Sequence, residues 1–251
     1  MIDLQQGDCL ELMKSIPDGS VDMILCDLPY GTTANKWDIV IPFEPLWEQY
    51  SRVIKNNGAI VLFGSEPFSS ELRISRKNIY RYDWKWDKVR ASGFQFSHSQ
   101  PMRMYEDIMV FYKNKPFYDY VGDKLDKPKT YVLPIIKTSN IESGLYRNNG
   151  DKLHRIYKTT THRVKTNKLV FTRVGKGAFH PTQKPVPLLE YLIKTYTCEG
   201  ETVLDNCMGS GSTGVATVNL NRSFIGMELD CDYFKIAEQR INEARRNVEI
   251  F

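Results

Sequence analysis

The sequence lacks the features of membrane-spanning, exported and metal-binding proteins. No run of apolar residues approaches the roughly 20 that a membrane helix needs. The N-terminal residues include early acidic side chains and no apolar signal core. The five cysteines never form a CxxC pair, and the four histidines are scattered. We therefore expect reduced thiols, no disulfide framework, no metal site, no contact with a membrane and a cytoplasmic location.

The overall charge is also small, but it is unevenly distributed. The net charge of the 251 residues is +4. Residues 112–178 contain 15 Lys or Arg and five Asp or Glu, a net charge of +10, whereas the remainder carries −6. A basic segment on a mildly acidic body predicts a polyanionic partner. A solvated lysine-rich surface is the alternative that charge alone leaves open.

Strands and helices alternate over most of the chain, which predicts a three-layer α/β domain. Continuous apolar runs such as Val21–Cys26 are typical of parallel strands buried on both faces. A helix is predicted over 43–54, ended by Asn57 and Gly58, and Asp232 is predicted to cap the last helix. The predicted strands are 2–4, 21–26, 59–63, 80–86, 108–112, 202–204 and 224–228, with 80–86 and 108–112 forming an antiparallel pair.

The pattern changes between about Lys113 and Ala178. Gly, Pro, Lys, Thr and Asn interrupt short segments there, without strong periodicity. Such a composition predicts a small irregular lobe or a partly disordered surface. The segment separates two stretches that follow the alternating pattern, 1–112 and 179–251.

A glycine-rich loop follows a predicted strand late in the chain. Gly209, Gly211 and Gly214 form a G-x-G-x-x-G pattern that opens a helix, and Glu228 ends the next strand. Glycines let the backbone approach a ligand, and the acidic residue can bind ribose hydroxyls. The loop predicts an adenosine-bearing cofactor, a dinucleotide or S-adenosylmethionine, although a tight turn alone would share the pattern. Asp205 before the loop suits the cationic amino group of a methionine moiety, which favours S-adenosylmethionine.

A second polar turn, Asp27-Leu28-Pro29-Tyr30, directly follows the first long apolar run. An exocyclic aryl amine is a weak nucleophile because its lone pair is delocalised into the ring. Methylating it requires fixed acceptors for both N–H groups, and a carboxylate beside a main-chain carbonyl held by a proline supplies them. A neighbouring aromatic ring can stack on a base drawn out of a duplex. A simple strand-ending turn is the alternative.

Three segments together resemble one enzyme family. Asp27–Tyr30 resembles the D-P-P-Y motif of DNA amino methyltransferases, and Asp205–Thr213 resembles their cofactor loop, D-P-F-x-G-S-G-T-T. Residues 180–185, His-Pro-Thr-Gln-Lys-Pro, match a further motif of the family. The order of catalytic motif, insert and cofactor motif is similar to the permuted order of the β-class.

The resemblance implies a fold and a division of the chain. The fold would be Rossmann-like, with a mostly parallel seven-stranded sheet that includes an antiparallel strand. Residues 1–112 would form the catalytic half of one methyltransferase domain, and 179–251 the cofactor-binding half. Residues 113–178 would form a small target-recognition insert. Members of this permuted order are often dimers, so a homodimer is a further expectation.

The resemblance also assigns roles to individual residues. Asp27 and the main-chain carbonyl of Leu28, fixed by Pro29, would accept hydrogen bonds from the adenine amine, and Tyr30 would stack on the flipped base. Glu228 would bind the ribose, Asp8 the cofactor adenine, and Thr182 and Lys184 the cofactor carboxylate. The residues expected to hold S-adenosylmethionine are Asp8, Thr182, Lys184, Asp205, Gly209, Gly211 and Glu228, and those expected to contact DNA are Lys158, Lys165 and Lys168.

Two positions depart from the family pattern. Leu28 replaces the first proline of D-P-P-Y, with little expected effect because the acceptor there is a main-chain carbonyl. Asn206 and Cys207 replace the Pro-Phe of the cofactor loop, which puts the role of Cys207 in doubt. Cys207 is not expected to be a nucleophile, because amino methylation needs no covalent enzyme intermediate.

The predicted function is therefore site-specific transfer of a methyl group from S-adenosylmethionine to N6 of adenine in double-stranded DNA, by base flipping and direct in-line transfer. Methylation of cytosine N4, or of an RNA or protein amine, is the alternative within the class. Cytosine-specific members tend to carry Ser where this chain has Asp27, which favours adenine. An NAD-dependent dehydrogenase or a non-catalytic DNA-binding protein would explain fewer of the motifs. The residue pattern gives no indication of a partner restriction endonuclease.

Overall fold

The computed structural model describes residues 1–32, 38–132, 157–175, 177–179 and 182–249. No helix in this part of the chain is long and apolar enough to cross a membrane. The strands found in it are β1 (Ile2–Gln6), β2 (Val21–Cys26), β3 (Ile54–Gly64), β4 (Tyr80–Ser92), β5 (Arg103–Phe111), β6 (Val121–Val132), β7 (Tyr157–Val164), β8 (Lys168–Val170), β9 (Thr202–Asp205) and β10 (Ser223–Glu228). The helices are α1 (Cys9–Met13), α2 (Phe43–Val53), α3 (Phe68–Ser75), α4 (Val186–Tyr196), α5 (Ser212–Asn219) and α6 (Cys231–Glu249).

The main sheet is mostly parallel and has one reversed strand. Its order is β1-β10-β9-β2-β3-β5-β4-β8. Strand β5 runs antiparallel to both of its neighbours, β3 and β4, while the other strand pairs are parallel. The predicted α/β fold and the antiparallel pairing of the segments around 80–86 and 108–112 are confirmed. The described sheet has eight strands where the resemblance implied seven, because the three-residue β8 pairs with β4.

Two apolar cores lie on opposite faces of this sheet. Met23 and Leu25 of β2 point into one core, and Ile24 and Cys26 point into the other. Side chains of α4, α5 and α6 complete the first core, and those of α1, α2 and α3 complete the second. A strand buried on both faces needs apolar residues at successive positions, which explains the apolar run from Met23 to Cys26. Asp22, the one charged residue of β2, forms an ion pair with Lys55 at 2.6 Å.

The junction between α2 and β3 differs from the prediction. Ile54 already has extended backbone angles, φ −73° and ψ 136°, so α2 ends at Val53 and β3 begins at once. Asn57 and Gly58, predicted to end the helix, lie inside the strand. A Cβ on Gly58 would lie 2.8 Å from the carbonyl oxygen of Asp22, so the glycine permits a close approach of β2.

The last helix is present as predicted but has a different cap residue, and one further helix was not predicted. The cap of α6 is Asp230, whose Oδ1 accepts hydrogen bonds from the N–H groups of Asp232 (2.9 Å) and Tyr233 (3.0 Å). Asp232, the predicted cap, lies in the first turn of the helix. Helix α3 was not predicted because its only buried apolar residues are Phe68 and Leu72, which is too short a pattern to show a period.

Residues Tyr120–Thr166 form a separate compact unit. Strands β6 and β7 pair antiparallel within it, and the hydroxyls of Thr130 and Thr159 lie 2.9 Å apart across the pair. The unit is narrower than the predicted 113–178 insert, because residues 113–119 and β8 belong to the larger unit. Within the described residues, the β6–β7 pair is a regular element that the sequence pattern did not predict.

Gly214 in α5 contacts two core side chains closely. A Cβ at this position would lie 2.4 Å from Cδ1 of Ile241 and 2.7 Å from Cε1 of Phe224. We expect Gly214→Ala to lower the free energy of unfolding by about 1–3 kcal/mol, because the core must shift to admit the methyl group. Urea unfolding measures the change. Gly175→Ala is the matched control, since a Cβ there meets no atom within 4 Å. Equal stability of the two variants would contradict this packing argument.

Candidate functional site

The two loops singled out by the sequence lie side by side. Strand β9 pairs in parallel with β2, with Met23 opposite Val203 and Ile24 opposite Leu204. The turn that begins at Asp27 and the loop that begins after Asp205 therefore leave the same edge of the sheet. Ligands of open α/β sheets bind at this carboxyl edge.

The glycine loop returns toward the end of β10 and is fixed there by Glu228. Gly209 has a φ of 52°, in the left-handed region that glycine adopts most easily. Its N–H donates to Oε2 of Glu228 at 2.8 Å, while Oε1 accepts from the N–H of Asp230 at 2.9 Å. Burial raises the pKa of the Glu228 carboxyl, and these amide hydrogen bonds oppose the rise. The geometry fixes a carboxylate at the mouth of the loop.

Asp205 is the most deeply buried acid of the site, with an exposed fraction of 2%. Its Oδ1 accepts the N–H of Cys207 at 3.1 Å. Burial raises the pKa of Asp205 to about 6, and a hydrogen bond with Thr213 acts in the opposite direction. A buried carboxyl of this kind is suited to a cationic ligand group, which would favour its ionised form.

Three other predicted cofactor residues have different surroundings. The Asp8 carboxylate caps α1 by accepting from the N–H groups of Leu10 (2.8 Å) and Glu11 (3.2 Å). The carbonyl of Thr182 accepts from Nζ of Lys184 at 3.4 Å. Gly211 faces away from the loop mouth and packs on α6, where a Cβ would lie 2.9 Å from Cα of Ala237.

In the Asp27–Tyr30 turn, both carboxylate oxygens of Asp27 are engaged. Oδ2 accepts from Nζ of Lys184, and Oδ1 accepts from the hydroxyl of Tyr30 at 2.5 Å. The Tyr30 ring stacks on Phe68, with ring centroids 5.0 Å apart. Burial raises the pKa of the Tyr30 hydroxyl well above its ordinary value, so the phenol remains a donor. Leu28 between them is buried.

The unusual Asn206-Cys207 pair forms part of a polar cluster beneath the loop. Oδ1 of Asn206 accepts from the hydroxyl of Tyr50 at 2.5 Å, and Nδ2 of Asn206 lies 3.5 Å from Sγ of Cys207. Contacts with the thiols of Cys26 and Cys9 raise the pKa of Cys207 well above its ordinary value. The thiol of Cys207 is therefore neutral and packs within this cluster.

One cavity of about 460 Å³ is lined by both the Asp27–Tyr30 turn and the glycine loop. This volume lies within the roughly 300–1,000 Å³ typical of small-molecule sites. Gly211 is absent from the cavity wall because it packs on α6. The wall includes the other ten residues predicted for catalysis and cofactor binding: Asp8, Asp27, Leu28, Pro29, Tyr30, Thr182, Lys184, Asp205, Gly209 and Glu228.

The three lysines predicted to contact DNA are divided between the two units. Lys158 lies in β7 and Lys165 follows that strand, both within Tyr120–Thr166. Lys168 belongs to β8 of the main sheet, where its Nζ forms an ion pair with Asp87 at 2.9 Å. His180 and Pro181, the first residues of the His-Pro-Thr-Gln-Lys-Pro motif, lie outside the described residues.

Two residues that the sequence analysis missed support the site. Arg240 of α6 donates to the carbonyl of Ser210, to its Oγ at 3.0 Å and to Oγ of Ser212 at 3.3 Å, which anchors the glycine loop to the helix. The sequence contained a signal for Arg240, because this charged residue lies beside the apolar face of α6 that Ala237 and Ile241 form. Glu106 of β5 lies 3.7 Å from Nζ of Lys184, and no sequence motif pointed to it.

The fold and the site together define a protein that binds an adenosine-bearing cofactor at the carboxyl edge of its sheet. The cavity wall presents two carboxylates, Asp205 and Glu228, beside a glycine loop whose N–H groups are already ordered. This set of groups suits a ligand with ribose hydroxyls and a cationic amine. Among the described residues, no cluster of His, Cys, Asp and Glu could hold a metal ion.

Comparison with known proteins gives the family. Residues 21–239 match the family model described as DNA methylase. The chain is 30% identical over 257 aligned positions to the DNA adenine methyltransferase YhdJ of Escherichia coli (strain K12), covering 95% of this chain and 82% of that protein. It is 26% identical to the type II methyltransferase M.HpaI of Haemophilus parainfluenzae, covering 94% and 73% of the two chains. The chain belongs to the DNA methylase family that modifies N6 of adenine or N4 of cytosine.

Solved structures agree with this membership. The crystal structure of the M1.HpyAVI complex with S-adenosylmethionine matches with a TM-score of 0.61 and 25% identity, covering 96% of this chain and 100% of that one. The cytosine-N4-specific PvuII DNA methyltransferase matches with a TM-score of 0.66 over 98% and 92% of the two chains, but its 14% identity shows the fold alone. The protein is a DNA methyltransferase dependent on S-adenosylmethionine, and the dehydrogenase alternative is excluded.

Proposed function

We propose that the protein methylates N6 of adenine in double-stranded DNA at a specific sequence. The observation that carries the proposal is the carboxylate of Asp27, which lies in the wall of the cofactor cavity at the end of β2. A carboxylate is a stronger acceptor for an amine N–H than a hydroxyl is. The 30% identity to a DNA adenine methyltransferase supports the same base.

The cavity residues divide between cofactor and base. Bound S-adenosylmethionine supplies an electrophilic methyl group. Glu228 binds the ribose hydroxyls through the lone pairs that its amide hydrogen bonds leave free. Asp205 binds the amino group of the methionine moiety, and Thr182 contacts its carboxylate. Asp8, whose carboxylate caps α1, meets the cofactor adenine.

The catalytic turn holds the amine of a flipped adenine. Asp27 accepts one N–H and the main-chain carbonyl of Leu28 accepts the other, so the nitrogen can pyramidalise toward the methyl group. Pro29 fixes the spacing of these two acceptors. Tyr30 stacks on the base with the face of its ring that Phe68 does not cover. The developing positive charge on the amine is stabilised by the Asp27 carboxylate.

The smaller unit, Tyr120–Thr166, binds the DNA backbone and reads the target sequence. Its strands β6 and β7 form a two-stranded antiparallel ribbon, a shape that the major groove of DNA admits. The side chains of Lys124, Lys127, Lys129 and Arg163 on this ribbon are exposed. Lys158 and Lys165 belong to the same unit and add to its positive charge, while Lys168 belongs to β8 of the larger unit.

Asp27→Asn tests the catalytic role. The variant keeps the shape of the side chain but loses the negative charge, so single-turnover methylation should fall by at least about a hundredfold, or roughly 3 kcal/mol. Cofactor affinity should change little, and nucleoside mass spectrometry identifies the methylated base. Asp107→Asn is the control, because Asp107 is paired with Arg73 and Lys85 outside the cavity. Near-normal turnover of Asp27→Asn would refute the role, and methylcytosine as the product would refute the base.

Glu228→Ala tests the ribose contact. Loss of a charge-assisted acceptor typically costs about 1.5–3 kcal/mol, so cofactor affinity should fall roughly ten- to a hundredfold. Calorimetric titration with S-adenosylmethionine measures it. Glu201→Ala is the control, because that carboxylate also accepts a backbone N–H, from Cys198 at 2.8 Å, but before the start of β9. Equal affinities of the two variants would require a different ribose ligand.

Charge reversal of the insert tests the DNA interface. Each phosphate contact contributes about −0.9 to the slope of log affinity against log salt. Lys158→Glu with Lys165→Glu should flatten that slope by roughly 1–2 and leave cofactor affinity unchanged. Lys14→Glu with Lys235→Glu is the control, since these exposed lysines lie in α1's C-cap and in α6. An unchanged slope in the insert variant would place the main DNA interface elsewhere.

A further inference from the structure

A row of alternating charges lies directly behind the catalytic turn. Nζ of Lys184 contacts Oδ2 of Asp27 and lies 3.7 Å from Oε2 of Glu106. Nζ of Lys88 lies 3.2 Å from Oε1 of Glu106 and 2.8 Å from Oγ of Ser92. The two lysine side chains are only 8% and 4% exposed, so these charges are shielded from water.

Burial makes the charge on Asp27 dependent on this row. Removing a carboxylate from water favours its protonated form. Burial raises the pKa of Asp27, the ammonium of Lys184 opposes the rise, and the carboxylate of Glu106 adds to it. A protonated Asp27 would be a weaker acceptor for the amine N–H and would carry no negative charge to stabilise the positive charge that develops on the amine, so the reaction needs the ionised form.

Lys184 is shared between two carboxylates. Burial alone would lower the pKa of Lys184, but Asp27 and Glu106 raise it above its ordinary value, which keeps the side chain a cation. Among the described residues, Oε2 of Glu106 has no hydrogen-bond partner, and it faces the ammonium at 3.7 Å. Oε2 of Glu106 therefore attracts the ammonium of Lys184 away from Asp27 across a distance longer than a hydrogen bond.

Other titratable groups face Asp27 as well. The hydroxyl of Tyr30 donates to Oδ1 and stays protonated. Burial raises the pKa of the neighbouring Cys26 to about 12, so that thiol is neutral. Asp205 is also close enough to interact with Asp27, and burial raises its pKa to about 6. Of the groups that face Asp27 in the described structure, Lys184 is the one cation, so its removal should have the largest effect.

We propose that Lys184 is a positioning residue for the methyl transfer, which holds Oδ2 of Asp27 and keeps the carboxylate ionised, and that Glu106 limits this effect by sharing the ammonium. The proposal rests on the catalytic role proposed for Asp27. It gives Lys184 a role toward the catalytic turn, in place of the cofactor carboxylate that the sequence resemblance implied. Glu106 acts through Lys184 and does not touch the substrate.

The test is the pH dependence of single-turnover methylation, with saturating S-adenosylmethionine and a methylatable duplex. Lys184→Met removes the cation, so the pKa of Asp27 rises. The acid limb of the rate–pH profile, where the rate falls as the pH is lowered, should then move to higher pH by about 1–3 pH units. Glu106→Gln removes the competing carboxylate, so the pKa of Asp27 falls and the limb should move to lower pH. Lys184→Arg keeps the charge and should retain most of the wild-type profile.

The opposite directions of the two shifts separate this role from general support of the fold. Lys85→Met and Glu66→Gln are the matched controls, because both residues form ion pairs outside the cavity, with Asp107 and Arg73 respectively. Their acid limbs should stay at the wild-type pH. Cofactor affinity is followed at each pH, because burial raises the pKa of Asp205 to about 6 and the protonation of Asp205 changes the cofactor site as well.

Three results would overturn the proposal. Shifts of the Lys184→Met and Glu106→Gln limbs in the same direction, or no shift in either, would show that the row serves stability alone. Weaker cofactor binding by Lys184→Met with an unmoved limb would assign the ammonium to the cofactor. If Asp27→Asn still loses methylation in these cases, the function proposed above stands. If Asp27→Asn remains active, both proposals fail.

Discussion

The parallel pairing of β2 with β9 is the contact on which the site depends. Met23 and Ile24 align with Val203 and Leu204, and Oδ2 of Asp22 accepts the N–H of Thr202 at 3.0 Å. This register places the Asp27–Tyr30 turn and the glycine loop at one edge of the sheet, although Asp22 and Thr202 are 180 positions apart in the sequence. The intervening chain can contain a second compact unit because the pairing itself fixes the alignment of the two loops.

The parts of the structure that the sequence predicts well are those with a local cause. Val21–Cys26 is recognisable because burial on both faces requires apolar residues at the successive positions Met23 to Cys26. Asp27, Asp205 and Glu228 are recognisable because each lies at or directly after the end of a strand, where a polar residue interrupts an apolar run. Asn57 and Gly58 are turn-forming residues that lie inside β3, because Gly58 permits a close approach to the backbone of β2. A local residue pattern cannot reveal such a contact.

The remainder depends on contacts between residues that are distant in the sequence. Lys184 is part of a recognisable motif, but its contact with Asp27 crosses 157 positions and leaves no local trace. Glu106 is one of two acids in succession on β5, and only the pairing of β5 with its neighbours decides which one faces the site. The short strand β8 could not be predicted either, because three residues carry no periodicity.

The hydrogen bonds of Glu228 have a consequence for how the ligand associates. Both oxygens are held by backbone N–H groups, from Gly209 at 2.8 Å and Asp230 at 2.9 Å, so the carboxylate has one orientation before any ligand arrives. Ordering a mobile side chain on binding costs about 0.5–1.5 kcal/mol. That entropic cost has already been met during folding. The affinity gained at this position therefore arises from the new hydrogen bonds, undiminished by loss of side-chain freedom.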